Sequence, residues 1–207
     1  MPDELRPDDL KRVGALLARL HTVSSRKRAQ HRPTIGPHYY GGWETLELLQ
    51  EWISPEVVER YVEAATEILE LVEDQLPTEE FLRVHGDFHR GNILLARDTL
   101  AVVDFDDFCN GPEVQDVWML FAEDPSGSPE EWNAFLSGYE MFREFPTEQI
   151  AWIPLLRALR VMGYAGWIAN RWDEKSFQRL FPDFNTYRYW ATETESLEKI
   201  AWSLHKH

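Results

Sequence analysis

The stretch Leu82–Asp107, LRVHGDFHRGNILLARDTLAVVDFDD, decides how the rest of the chain is read. The apolar runs Phe81–Val84, Ile93–Ala96 and Leu100–Phe105 read as short β-strands, with Arg97-Asp98 at a hairpin turn between the last two. Asp87, Asn92 and Asp104 lie around them. An aspartate, an amide five residues on and a second aspartate beyond a hairpin are the oxygen groups that phosphoryl transfer from a metal–nucleotide needs. Gly86 and Gly91 permit tight backbone on either side of Asp87.

Two other readings of these residues stand beside the first. His85, Asp87 and His89 alternate, so an extended segment turns all three to one side, as in a hydrolytic metal site. Such a site needs further ligands, and His21, His31, His38, His205 and His207 sit in no ligand-like spacing. In a purely structural reading Asp87 caps a turn and Asp104 ends a strand. The joint Asp–Asn–Asp pattern favours phosphoryl transfer, because magnesium takes few protein oxygens and fills its shell with phosphate and water.

Outward from this segment the pattern is helical. Asp8 is expected to cap a helix carrying Leu10, Val13, Leu16, Leu17 and Leu20 on one face. A loop from Ser24 to Gly42 follows, holding the basic stretch Arg26, Lys27, Arg28 and Arg32, read as solvated. Ser54 is expected to cap a second helix with Pro55 at its first position and apolar residues from Val58 to Leu76. Beyond Gly111-Pro112, Ser128-Pro129-Glu130-Glu131 has the form of a capping box. Thr147 opens an apolar segment to Trp172 that Pro154 kinks or splits, and a last helix covers Tyr187 to Leu204. The expected fold is mainly α with a small β-hairpin region (α+β), as a single unit over residues 1–207.

Composition narrows the function. Of 207 residues 43% are hydrophobic, enough for a sizeable core, and large aromatics are abundant. A net charge of −15 argues against a nucleic-acid partner. No apolar run has membrane-spanning length, and the N-terminus is too polar for a secretory signal. The single cysteine, Cys109, rules out an internal disulfide and suits a cytoplasmic location as a small buried side chain. Trp152, Trp167, Trp172, Trp190 and Trp202 read as core rather than as a substrate cage, and Arg157 and Arg160 as surface residues.

HGDFHRGNIL followed by VVDFDD resembles the aminoglycoside phosphotransferase and choline kinase superfamily of protein-kinase-like enzymes. DFDDFCNGPEVQDVWML, from Asp104 to Leu120, and LLRALRVMGYAGWIANRW, from Leu155 to Trp172, resemble its bacterial stress-response kinase A branch. The resemblance implies the C-terminal lobe of such an enzyme, using ATP and Mg2+, with Asp87 as catalytic base and Asn92 and Asp104 as metal ligands. It also implies that His85 braces the catalytic loop and that Gln115-Asp116 fixes it from the following helix, Asp116 accepting backbone hydrogen bonds. Asp106 is placed near the metal and Asp107 at a turn, neither as catalytic.

The chain departs from that family upstream of the motif. Its eleven glycines form no G-x-G-x-x-G, and Lys11, Lys27, Lys175, Lys199 and Lys206 include none on a strand before Asp87. The expectation is therefore a catalytic lobe without its nucleotide-binding N-terminal lobe, prone to self-association or to docking a separate one. The favoured acceptor is a protein Ser/Thr hydroxyl. The alternatives are a small-molecule hydroxyl, as on an aminoglycoside, choline or homoserine, and an inactive lobe acting as a binding module.

Overall fold

The computed structural model describes residues 5–96, 99–121, 125 and 127–205; Arg97-Asp98, Lys206 and His207 lie outside these. The chain forms two compact units, Met1–Thr34 with Thr78–Ile153, and Ile35–Pro77 with Pro154–His207.

In the first unit, α1 (Pro7–Ser24) packs against α5 (Pro129–Tyr139). Glycines set their separation: a Cβ at Gly14 would collide with the Phe135 carbonyl, and one at Gly138 with the Lys11 carbonyl. The helix starts one residue before the expected Asp8 cap. Arg6 is the extended residue ahead of Pro7, which takes the first helical position where no N–H is needed. Asp8 and Asp9 then sit in the first turn, where the helix dipole favours negative charge. Leu10, Val13 and Leu17 are fully buried, while Leu16 and Leu20 lie at the edge of the stripe.

Two small antiparallel ladders carry the loops of interest. β1 (Leu82–Val84) pairs with β4 (Cys109–Gly111), and β2 (Ile93–Ala96) pairs with β3 (Thr99–Val102) in the register Ile93↔Val102 to Ala96↔Thr99. The third strand ends before the predicted Phe105. Val103 N–H still reaches Asn92 O at 3.0 Å, but Asp104 turns the chain with φ +65°. β4, absent from the sequence reading, is three residues long and includes a glycine, too little to register as a strand. The short α4 (Gln115–Trp118) follows it. Ser128 stands at the N-terminus of α5 without a side-chain cap, and Pro129 holds the first turn. Glu131, which a capping box would turn back to Ser128, instead faces Arg90 at 3.8 Å.

In the second unit, α3 (Val58–Gln75) packs against α8 (Tyr187–Leu204), burying Tyr61, Ile68, Leu69, Val72, Trp190 and Leu197. Ser54 does not cap α3. Ser54 to Val57 form a β-turn closed by Val57 N–H to Ser54 O at 3.0 Å, with Pro55 in the position such turns favour, and Ser54 Oγ bonds Glu56. A short helix, α2 (Trp43–Leu49), precedes this turn. Pro154 splits the Thr147–Trp172 segment: a 3-10 stretch, Thr147–Trp152, gives way to α6 (Ile153–Ala169), in which Pro154 occupies the first turn. α7 (Lys175–Leu180) leads towards α8. Trp190 is core, whereas Trp202 is 63% exposed; among the five tryptophans the core reading fails there, because α8 presents that position outward.

Candidate active site

The loop after β1 is held by its backbone. Asp116 is fully buried and accepts His85 N–H at 2.7 Å on Oδ2 and Gly86 N–H at 2.9 Å on Oδ1. Gln115 Nε2 donates to Gly86 O at 2.9 Å, so α4 holds both polar groups of one peptide unit's neighbourhood. Gly86 has φ +87°, and a Cβ there would strike the Asp107 carbonyl, so only glycine fits the turn into Asp87.

Asp87 and Asn92 are brought together. Asn92 is buried and its Nδ2 donates to Asp87 O at 2.9 Å while lying 3.4 Å from Asp87 Oδ2. Both contacts use the amide nitrogen and leave the lone pairs of Asn92 Oδ1 uninvolved in them. A single 3-10 turn, Arg90–Asn92, makes the link, capped by His89 Nδ1 accepting Gly91 N–H at 2.9 Å. Arg90 Nε donates to Leu120 O at 2.8 Å.

Asp104 is exposed and is the one non-glycine residue with positive φ among those described. Aspartate is among the few residues that tolerate this region, and such strain concentrates at functional positions. The DFDD segment is braced on both sides. His85 is buried, with Nε2 3.0 Å from Val103 O and its ring 4.6 Å from that of Phe105 and 5.5 Å from that of Phe88. Arg32 lies 4.2 Å over the Phe108 ring, donates to Phe108 O at 2.7 Å, and bonds Asp106 O. Two members of the basic stretch are thus structural, since Arg28 also donates to Glu79 O at 2.8 Å and to Thr34 Oγ1 at 3.2 Å, whereas Arg26 and Lys27 are exposed as expected. Asp106 and Asp107 lie in the turn after Phe105. Cys109 is fully buried.

The sequence reading missed His21. It lies on the buried face of α1, with Nε2 3.1 Å from Asp116 Oδ2 and Nδ1 2.8 Å from Tyr139 OH. Burial and, secondarily, the nearby Glu113 charge push the Tyr139 phenol well above its usual range, keeping it a neutral hydroxyl. Through the Tyr139 hydroxyl on Nδ1 and Nε2–H donating to the Asp116 carboxylate, His21 links α5 and α1 to the loop. The one signal available was a histidine on an apolar helical stripe.

The alternating His85, Asp87 and His89 do not form a ligand set. His85 is turned into the interior, and no group of three or more His, Cys, Asp or Glu side chains among the described residues is arranged to hold a metal.

A family model described as the APH phosphotransferase enzyme family matches residues 1–153. The chain belongs to this family. It is 36% identical over 191 residues to stress response kinase A of Escherichia coli, a match covering 90% of this chain and 57% of that protein. It is 33% identical over 202 residues to the serine/threonine protein kinase RdoA of Salmonella typhimurium, covering 96% and 61%. The chain therefore spans about three-fifths of the length of these relatives. Among solved structures, a microcompartment-associated aminopropanol kinase matches with TM-score 0.65 at 20% identity, over 98% of this chain and 66% of that one. Amicoumacin kinase hAmiN, in complex with AMP-PNP, Ca2+ and Ami, matches at TM-score 0.64 and 19% identity over 94% and 60%. Spectinomycin phosphotransferase matches at 0.64 and 14% over 100% and 68%. At these identities the likeness is one of fold, the mainly α, α+β fold of kinase-like phosphotransferases.

Proposed function

We propose that the chain transfers the γ-phosphoryl of ATP to a hydroxyl, with Asp87 accepting the hydroxyl proton and Asn92 and Asp104 holding a divalent metal, Mg2+ in the cell. The observation that carries this is the paired hold on the loop: Asp116 fixes the backbone before Asp87, and Asn92 ties Asp87 from the other side. Phosphoryl transfer depends mainly on positioning and electrostatics, and a loop held at this many points suits it. The donor set fits the metal. Asn92 Oδ1 and the exposed Asp104 carboxylate are hard oxygen donors, too few for a closed protein site, as expected of an ion that shares its shell with phosphates. Such an ion, when bound, neutralises charge on the transferring phosphoryl group.

Protein Ser/Thr is the favoured acceptor, because the Salmonella typhimurium relative is named a serine/threonine protein kinase. The small-molecule reading draws on the fold neighbours, which are named for aminopropanol, amicoumacin and spectinomycin. We take residues 1–207 as the C-terminal lobe of the enzyme, acting in the cytoplasm; no described helix is long and apolar enough to cross a membrane. The decisive assay supplies labelled ATP, Mg2+ and a nucleotide-binding lobe. It compares a protein Ser/Thr panel with a panel of small amino alcohols and aminoglycosides, with Asp87→Asn as control. Asp87-dependent label on protein supports the favoured acceptor, and label on a small alcohol supports the second. Nucleotide binding by calorimetry with no Asp87-dependent transfer would favour a binding module.

A further inference from the structure

His89 contributes more than a cap to the turn that follows it. Its two ring nitrogens face different parts of the site: Nδ1 accepts Gly91 N–H at 2.9 Å, and Nε2 lies 3.3 Å from Asp87 Oδ2. A backbone N–H can only donate, so Nδ1 carries no proton. The proton of the neutral imidazole is therefore on Nε2, the nitrogen beside the carboxylate. Asn92 Nδ2 approaches the same carboxylate oxygen at 3.4 Å. One oxygen of Asp87 is thus flanked by two N–H groups whose carriers are themselves tied to the loop backbone, His89 to Gly91 and Asn92 to Asp87 O.

We infer that His89 is a positioning residue for Asp87. The Gly91 amide selects the Nε2–H tautomer, and that N–H holds Asp87 Oδ2, so the turn carrying Asn92 and the orientation of the carboxylate are set by one ring. The side chains are only partly buried, His89 at 39% exposure and Asp87 at 21%, so the contact forms at the edge of solvent. Misplacement by a rotamer costs much of the advantage of holding reacting groups in line. The kinetic consequence rests on the phosphotransfer reading; the tautomer and the contact do not.

The test has a spectroscopic arm on the 207-residue chain and a kinetic arm on the same chain with a nucleotide-binding lobe supplied. Imidazole nitrogen spectra of labelled protein should show His89 as a single Nε2–H tautomer, and Asp87→Ala should shift its Nε2 resonance. An averaged or Nδ1–H tautomer, or an Nε2 resonance indifferent to Asp87→Ala, overturns the inference. His89→Asn separates the two contacts, since a shorter amide can still cap Gly91 N–H but does not extend to Asp87. It should keep the Gly91 amide protected from exchange and leave nucleotide affinity unchanged, yet lower single-turnover phosphoryl transfer about tenfold. Full turnover in His89→Asn would reduce His89 to a cap and overturn the inference. Absence of Asp87-dependent transfer in the unsubstituted chain with that lobe supplied would count against the phosphotransfer reading alone, and the spectra would still decide the role of His89.

Discussion

Asp104 has a left-handed backbone and an exposed side chain between the apolar Val103 and Phe105. Its place one residue past Val103, whose N–H bonds Asn92 O, gives it a different part in the proposed chemistry from Asp87. Asp87→Asn should lower turnover by about a hundredfold or more while leaving metal–nucleotide binding nearly intact, the effect of losing a general base. Asp104→Asn should also weaken that binding, because it removes charge facing the metal. Calorimetry on both variants, with a nucleotide-binding lobe supplied, checks this; equal binding losses would contradict the assignment. Asp116 has a structural part. Its carboxylate meets three N–H groups with no exposure to water, so Asp116→Asn sets an NH2 against at least one of them. The expected loss is about 2–4 kcal/mol in urea unfolding. A loss under about 0.5 kcal/mol would mean that the loop is held elsewhere.

Helix placement turned on local chemistry that outranked simple capping rules. Pro7 and Pro129 each set a helix start, whereas Pro55 joined a turn because Ser54 O was already committed to Val57 N–H. The contact of α1 with α5 offers a direct test. Alanine is favoured over glycine inside a helix by about 1 kcal/mol. A Cβ at Gly138 would nevertheless run into the Lys11 carbonyl with Lys11 Cα 3.0 Å away, and backbone cannot step aside as a side chain can. Gly138→Ala should therefore destabilise by about 1–3 kcal/mol despite its better propensity, read by thermal or urea unfolding. In α8, burial raises the Glu193 carboxyl to about 7. The folded state then holds a proton that the unfolded chain has released, so stability falls as pH rises from about 4.5 to about 7. Unfolding measured at pH 5 and pH 8 should show this loss, of order 1–3 kcal/mol, and Glu193→Gln should remove it. An unchanged pH profile in that variant would place the titration on another group.

On the scale of the whole molecule, the hairpin region leaves apolar surface open: Leu94, Val103 and Phe105 are 48%, 37% and 43% exposed. Clustered exposure of this kind invites association, which a net charge of −15 opposes only in part. Light scattering on the 207-residue chain should find dimers or larger species that grow with concentration and recede when a nucleotide-binding lobe is added; a concentration-independent monomer would argue for the binding-module reading. The family, the helical character and the candidate residues Asp87, Asn92 and Asp104 were all legible in sequence, because they lie in one short segment with a distinctive spacing. Hairpin pairing of β2 with β3 was legible for the same reason, being local. What only the tertiary structure decided lies at long separation. His21 meets Asp116 across 95 residues and Tyr139 across 118, Asn110 pairs with the loop at Pro33 and Thr34, and Arg32 reaches Phe108. Residues so far apart carry no mutual spacing, and a histidine on a helix or an arginine in a basic loop acquires its partner only when packing buries one polar group against another and leaves each no water to bond.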